Sequence, residues 1–439
     1  MPIRLPACRR QIEFVKSTGR KQLLMLVHRV PYPPNRGDRI RSYHLLRHLA
    51  AEYDVHLATL CDEPVSSDAV EALKSICRRV EIASVTGSAR WLRAAWSLAR
   101  GFTATEGLFR SPRLADVVRR WASQTRFDAA LVFCSSMLQY LDCAELGSVR
   151  AVVDLVDVDS QKWFDYADRG SGAKRWLFRL EGRRLRKLEQ RAIDRATAVT
   201  LVSEAEAELF RRVCPNDKTV AIPNGVDLDY FRPQNDGTRP WTPLPPNDRT
   251  NLVFIGALDY RANIDGITWF ASEVWPLLRR EMPQLTLGLV GRNPAPAVRK
   301  LADIAGIRVF GTVPDVRPFV AAADLVIAPL RIARGIQNKV LEAMAMGKPV
   351  ICSPGALEGI DAVPQRDLLL AAAPKEWLVA VRRMFGDAEL RQQIAQQGRE
   401  LVQREYSWNL ALAPLDGLFA PCRSLGNVNP SDRVPLAAV

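Results

Sequence analysis

Short apolar runs alternate with amphipathic stretches along most of this chain. In the first half the runs are Gln22-Leu-Leu-Met-Leu-Val-His28, Asp54-Val-His-Leu-Ala-Thr-Leu60, Val80-Glu-Ile-Ala-Ser-Val85, Phe127-Asp-Ala-Ala-Leu-Val-Phe133, Ala151-Val-Val-Asp-Leu-Val156 and Ala198-Val-Thr-Leu-Val-Ser203. All are shorter than a buried helix, and their continuous apolar character is that of strands covered on both faces. Between them Ile40, Tyr43, Leu46 and Leu49 recur at helical spacing, and helices are expected over Ser67 to Arg78 and Glu204 to Val213. Such alternation predicts βαβ units and a parallel sheet.

The second half restarts the rhythm. Leu252-Val-Phe-Ile255 ends at Gly256, Leu285-Thr-Leu-Gly-Leu-Val290 at Gly291-Arg292 and Ile307-Arg-Val-Phe310 at Gly311, with helices expected at Ile264 to Arg280, Pro296 to Ala305 and Val316 to Ala323. Asp324-Leu-Val-Ile-Ala-Pro329 is the next strand. Glycines at strand ends permit tight turns and clear space for a ligand at one edge of a sheet. Helix then follows from Ile336, with Val340, Ala343 and Met344 on one face and Gly347-Lys-Pro as its stop. Val350 begins another strand, and Glu358-Gly359-Ile360 another loop on that edge.

The fold expected is α/β with two Rossmann-like domains. The boundaries read as a basic tail at 1–20, an N-terminal domain at 21–214, a Pro-, Asn- and Asp-rich linker at 215–250 and a C-terminal domain at 251–400. A C-terminal segment at 401–420 crosses back to the first domain, and 421–439 is a disordered tail.

Composition narrows the function classes. With 439 residues, 48% hydrophobic and 25% charged, the chain has the makeup of a soluble globular protein. Eight cysteines lack any Cys-x-x-Cys spacing, and the four histidines all fall in the first 56 residues, so a metal site is not expected. A bilayer span needs roughly 18–20 apolar residues, and no run here approaches that. The expectation is a cytoplasmic protein. A net charge of +13 calls for an anionic partner. Two basic stretches fit an anionic membrane surface: Ala89 to Phe102, with Trp91, Leu92, Trp96, Arg90, Arg93 and Arg100, and Lys174 to Arg195. The first equally fits a core-facing helix with a basic outer side, and a run like the second is usually a solvated face, although Trp176, Leu177 and Phe178 beside its Arg and Lys also suit lipid phosphates. No recognised nucleic-acid motif accompanies the charge.

Candidate chemistry centres on the helix after Gly335. Lys339 lies in its first turn, where unpaired N–H groups and the macrodipole favour an anion, and Glu342 follows three residues later. One face can therefore offer an ammonium to a diphosphate and a carboxylate to sugar hydroxyls, although a solvated Lys and Glu would look the same. The loop Arg29-Val-Pro-Tyr-Pro-Pro-Asn-Arg-Gly37-Asp38 is a second possible cradle, with Asp38 a candidate helix cap. It is neither a Walker loop nor a dinucleotide fingerprint. Asp157 and Asp159 end the strand at Val156, where they suit an acceptor hydroxyl, a general base or helix capping.

Taken together, Gly37, Pro223-Asn-Gly-Val-Asp227 with Phe231, Gly256 with Asn263, Gly291, Gly311 with Asp315, and Lys339-Val-Leu-Glu-Ala-Met-Ala-Met-Gly-Lys-Pro-Val350 resemble family 4 glycosyltransferases of the GT-B type. The match runs from about residue 22 to 415. The proline-rich start, Asp154 to Ser160 and Gly335-Ile-Gln-Asn-Lys339 look most like the sugar transferases of bacterial exopolysaccharide and exosortase (PEP-CTERM) loci. The resemblance implies two domains facing across a cleft and transfer with retention from a nucleotide-diphosphate sugar to a lipid-linked or polysaccharide acceptor. It implies no cofactor beyond that co-substrate and no metal. Lys339, with Arg261 or Arg292, would neutralise the departing diphosphate; Glu342 would hold the ribose hydroxyls; Gly37 would approach the phosphates; Asp157 stands nearest the acceptor base. Gly256, Asn263, Gly291, Gly311, Gly335 and Glu358 would line the donor site. The family's usual carboxylate eight positions before Glu342 is Arg334 here, so phosphate or an acidic sugar is the expected contact of that residue. A nucleotide-sugar epimerase of the same architecture and a non-catalytic anionic-polymer binder are the alternatives.

Overall fold

The computed structural model describes residues 19–169, 171–233, 251–332 and 336–419. All but the last two residues of the basic tail, much of the expected linker and the C-terminal tail lie outside these residues. Packing gathers the chain into two compact units, residues 1–151 and 152–439.

The first unit runs β1 (Lys21–Val27), α1 (Gly37–Glu52), β2 (Tyr53–Cys61), α2 (Ser67–Ile76), β3 (Arg79–Ser84), α3 (Ala89–Ala99), α4 (Ala104–Leu108), α5 (Pro112–Gln124) and β4 (Ala129–Phe133). At its end β5 (Arg150–Val156) begins. The second unit continues with α6 (Asp159–Arg169), α7 (Gly172–Arg195), β6 (Ala198–Leu201), α8 (Glu204–Val213) and β7 (Thr219–Ala221). Then come β8 (Leu252–Ile255), α9 (Arg261–Trp269), α10 (Trp275–Glu281), β9 (Leu287–Val290), α11 (Pro296–Arg299), β10 (Ile307–Gly311), α12 (Arg317–Ala322) and β11 (Leu325–Ala328). The chain closes with α13 (Asn338–Ala345), β12 (Val350–Cys352), α14 (Pro354–Leu357), β13 (Leu369–Leu370), α15 (Pro374–Gly386), α16 (Ala388–Glu405) and α17 (Trp408–Phe419).

The strands order as β3-β2-β1-β4-β5-β6-β7 and β10-β9-β8-β11-β12-β13. Described pairs are parallel: Leu24 of β1 faces His56 of β2 and Ala130 of β4, and Val253 of β8 faces Gly288 of β9 and Val326 of β11. Leu23 to Val27 and Leu252 to Phe254 are fully or almost fully buried, as expected of strands covered on both faces. This is the α/β, two-Rossmann-like-sheet architecture expected from the sequence. In each sheet the order reverses beside the founding strand, at β1/β4 and at β8/β11, and such switch points are where open α/β sheets bind ligands.

Local chemistry explains several element boundaries. α5 buries Leu114, Val117, Val118 and Trp121, one stripe at helical spacing, and Ser111 caps it by accepting from Leu114 N. The single helix expected from Ile264 to Arg280 is instead α9, a π-turn at Phe270–Val274 and α10. Pro276 lacks the N–H that a continuous α-helix would require there. The helix expected over Pro296 to Ala305 tightens to 3-10 geometry at Lys300–Asp303, and the turn into β10 passes through Gly306 at φ +83°. Gly225 is needed for close packing, because a Cβ there would lie 2.5 Å from the Trp408 backbone. Beside it Val226 bridges to Ser407 at the start of the final helix.

Candidate functional site

A polar arrangement sits at the switch point of the second sheet. β8 ends in Phe254 and Ile255, Gly256 opens the loop to α9, and the chain leaving β11 returns as α13. Lys339, the second residue of α13, donates from Nζ to Asn263 Oδ1 on α9 at 2.5 Å. Its ammonium lies 4.7 Å from the centroid of the Phe254 ring. A Cβ on Gly256 would come within 3.0 Å of the same Nζ, so glycine leaves the lysine its place. Asn263 is buried, and its Nδ2 donates to Ala257 O at 2.8 Å. The amide is thus oriented by the loop and presents its oxygen to the lysine.

Burial lowers the Lys339 ammonium to about 7 against the pull of Glu342, and it raises the Glu342 carboxyl to about 7 against the pull of Lys339. Each group therefore titrates close to neutrality, one helical turn from the other. An arriving anion would favour the ammonium.

The glycine-ended loops stack upon one another. Gly256 N donates to Val290 O at 3.0 Å, Gly291 N to Gly311 O at 2.9 Å and Leu258 N to Arg292 O at 3.0 Å. A Cβ built on Gly291 would sit 1.7 Å from Gly256 O, so only glycine fits. Past Gly311, Asp315 meets Tyr230 OH at 3.2 Å, and the Arg317 guanidinium lies 3.7 Å from the Tyr230 ring centroid. Burial raises the Tyr230 phenol, Asp315 adds to the rise, and a smaller contribution comes from the charge of Glu342. Arg331 clamps Asp265 with bonds of 3.0 and 2.7 Å. Neither this clamp nor the Tyr230–Arg317 stack is foreshadowed by a sequence pattern, since the residues come from separate elements and share no motif.

Thus Lys339, Asn263, Gly256 and Glu342 come together, with Gly291 and Gly311 as the layers behind Gly256. Arg261 is the exposed first residue of α9, Arg292 is exposed beyond β9, and Glu358 is exposed after α14. No described contact ties these three to Lys339. Arg334 and Gly335 lie outside the described residues.

In the first sheet the corresponding end of β1 carries an ion network. Arg29 bonds Asp38 at 2.9 Å and Asp62 at 3.1 Å, His28 Nε2 is 3.6 Å from Asp38, and Arg39 pairs with Glu63. Burial opposes ionisation of Asp38, but His28 and Arg29 outweigh it and hold the carboxyl well below the usual range. The cap expected from Asp38 is corrected: α1 starts at Gly37, Arg36 occupies the cap position without a side-chain bond, and Asp38 belongs to the first turn and the ion network. Gly37 is exposed with open space about it. Beyond β5, Asp157 is paired with Lys162 at 2.6 Å, and Lys162 also reaches Asp159 at 3.5 Å. Ser160 is buried and donates to Glu189 at 2.5 Å, with Arg186 Nε 3.0 Å from the same hydroxyl.

Comparisons with known proteins agree with this layout. The family model described as glycosyl transferase 4-like domain matches residues 36–225, and the one described as glycosyl transferases group 1 matches 249–387. Among solved structures the chain is similar to sucrose-phosphate synthase from Thermosynechococcus elongatus, at 18% identity, covering 91% of this chain and 98% of that one with a TM-score of 0.62. It is also similar to HepE of Anabaena in complex with UDP, at 16% identity, 90% and 98% coverage and a TM-score of 0.58. A third is WaaG, a glycosyltransferase involved in lipopolysaccharide biosynthesis, at 17% identity, 91% and 100% coverage and a TM-score of 0.59.

Proposed function

We propose that this chain, a glycosyltransferase of the GT-B type carrying a 4-like and a group 1 domain, moves a sugar from a nucleoside-diphosphate donor held at the β8/β11 switch point. The observation that carries the reading is Lys339. Its amine is fixed by Asn263 and Phe254 beside a glycine that cannot be enlarged without meeting it, with Glu342 one turn further on.

The chemistry follows from that placement. Departure of a nucleoside diphosphate develops negative charge on the oxygen that had bonded the anomeric carbon. A preorganised ammonium beside a helix N-terminus stabilises that charge without reorganisation, the kind of interaction that supplies most rate enhancement in such sites. Lys339 is the leaving-group stabiliser in this proposal, and the positive charge comes from protein rather than from a metal. Arg261, Arg292 and Arg334 are the further cations of the proposal. Glu342, ionised once Lys339 is fully charged, accepts from the ribose hydroxyls. Gly291 and Gly311 keep the loops low enough for the donor to lie across them, and Glu358 belongs to the same donor edge. Gly37 allows the phosphates to approach the backbone of α1, and Asp157 is offered as the acceptor-side carboxylate once Lys162 releases it. The acceptor class is a lipid-linked or polysaccharide glycan of bacterial exopolysaccharide synthesis, with retention at the anomeric carbon and with the protein at the inner face of the membrane. The HepE complexes with UDP and UDP-glucose and the lipopolysaccharide role of WaaG support the donor and acceptor classes.

The test is a thermal-shift screen across nucleoside-diphosphate sugars, then transfer of radiolabel into membrane extract. A donor at about 100 times its dissociation constant should add roughly 2.7 kcal/mol of stability. Lys339→Ala should lower donor affinity about 10- to 100-fold, the worth of a charge-assisted hydrogen bond. No donor shift and no transfer, with Lys339→Ala equal to wild type, would remove the reading. Proton NMR of the first-formed product reports the anomeric outcome.

A further inference from the structure

α3 is built inside out. Its small residues Ala94 and Ser97 are buried, whereas Trp91 is 61% exposed, Leu92 74% and Trp96 58%; Phe102, just beyond the helix, is 45% exposed. The buried side is accounted for by close packing on α4. Gly107 approaches so near that a Cβ there would lie 2.5 Å from Arg93 O and 2.7 Å from Ser97 Cβ. Ser97 also donates to Thr103 O at 2.7 Å. The helix is therefore held by its small face, and the large apolar side chains contribute little to that packing. Scattered surface hydrophobics are ordinary; two tryptophans and a leucine on one exposed stretch of a helix are not.

Charge identifies what the face suits. No acidic residue lies between Glu81 and Glu106, while Arg90, Arg93 and Arg100 do. Arg90 lies 5.4 Å from the Trp91 ring centroid and Arg100 4.7 Å from that of Trp96, so guanidinium and indole are presented together. Tryptophan and arginine share the headgroup layer of an anionic bilayer, the ring entering the acyl boundary and the cation meeting lipid phosphate. α7 is a poorer candidate despite its many arginines. It exposes Trp176 and Leu177 near its start, but further along it buries Leu185, Leu188 and Ile193, and the acidic Asp194 is exposed near its end.

We propose that the outward face of α3, Trp91, Leu92 and Trp96 flanked by Arg90, Arg93 and Arg100, is a docking surface for an anionic lipid bilayer. It rests on exposure and charge alone, so it stands or falls separately from the donor site.

The experiment is flotation of the full chain with vesicles of equal parts phosphatidylcholine and phosphatidylglycerol, and with phosphatidylcholine vesicles alone. Wild type should float with the anionic vesicles and bind the neutral ones far less. The triple variant Trp91→Ser, Leu92→Ser, Trp96→Ser should melt like wild type and bind anionic vesicles at least about 100-fold more weakly, since three large apolar side chains no longer insert. Each single Arg→Gln change at 90, 93 or 100 should weaken binding about fivefold. Because Arg90 and Arg93 are both partly buried and Arg100 is exposed, Arg100→Gln keeps the test sound if either of the other changes destabilises the fold. Failure of wild type to float, unchanged flotation of the triple variant, or a wild type that elutes as a dimer in gel filtration and a triple variant that elutes as a monomer with vesicle binding intact would overturn the assignment. The last would make α3 a protein contact instead.

Discussion

Replacing Gly291 by alanine tests whether the glycine-ended loops are as tightly layered as the structure places them. The added Cβ would lie 1.7 Å from Gly256 O and 2.7 Å from Gly256 C, against roughly 3.3 Å for the closest comfortable carbon–oxygen contact. One loop must therefore retreat by more than an ångström. Retreat strains or breaks Gly256 N to Val290 O, Gly291 N to Gly311 O and Leu258 N to Arg292 O. Losing one or two such buried bonds at about 1–3 kcal/mol each, with the backbone strain of an alanine at φ +158°, gives a destabilisation of about 3–5 kcal/mol. Gly311→Ala provides a graded comparison: φ there is +69° but the nearest atom is Pro294 Cγ at 3.5 Å, so strain alone of about 1–2 kcal/mol is expected. Gly386→Ala meets nothing within 4 Å and is the control. Thermal melting should rank the three in that order, and amide exchange should accelerate in β8, β9 and β10 before the first sheet. If Gly291→Ala melts like the Gly386 control with unchanged exchange at β8, the layering argument is wrong.

Gly37→Ala makes the opposite prediction: with open space and no positive φ at that position, melting should hold or rise by about 0.5–1 kcal/mol, while transfer falls if donor phosphates approach there. Unimpaired turnover would exclude Gly37 from the site. Binding a nucleoside diphosphate above pH 7 should take up a proton, because Lys339 is lowered to about 7 in the free protein and must charge to meet phosphate. Calorimetry in buffers of different ionisation enthalpy should show this uptake in wild type and lose it in Lys339→Arg, and no uptake in wild type would sink the role given to Lys339. His56 is buried, bonds Gln22 Oε1 at 2.8 Å and is lowered to about 4, chiefly by burial and then by Arg79. Between the unfolded value near 6.5 and about 4 the unfolded chain holds the extra proton, so stability should fall as pH drops through that window, by on the order of 3 kcal/mol. His56→Gln should flatten the slope, and an equal slope would assign it to other groups.

The alternation of apolar runs and helical stretches is enough to predict both sheets, because strand and helix periodicities are local properties of the chain. The same holds for Lys339 and Glu342, which share a face whenever that segment is helical. Periodicity does not show that α9 and α10 are divided by a π-turn, although Pro276 marks the place. Nor does it show that Asp157 is held by Lys162, which requires the first turns of α6 to be formed.

What the sequence determined by itself is the inventory: strands, helices, glycine-ended loops and one helix start suited to an anion. What the tertiary structure decided is adjacency. Lys339 is fixed by Asn263, 76 positions away in sequence, because β8 and β11 are neighbours at the point where strand order reverses. The two tryptophans of α3 face outward because α4 brings Gly107 against the small side of the helix. Strand order and the choice of packed face depend on contacts between segments far apart in sequence, and periodicity within one segment carries no information about them.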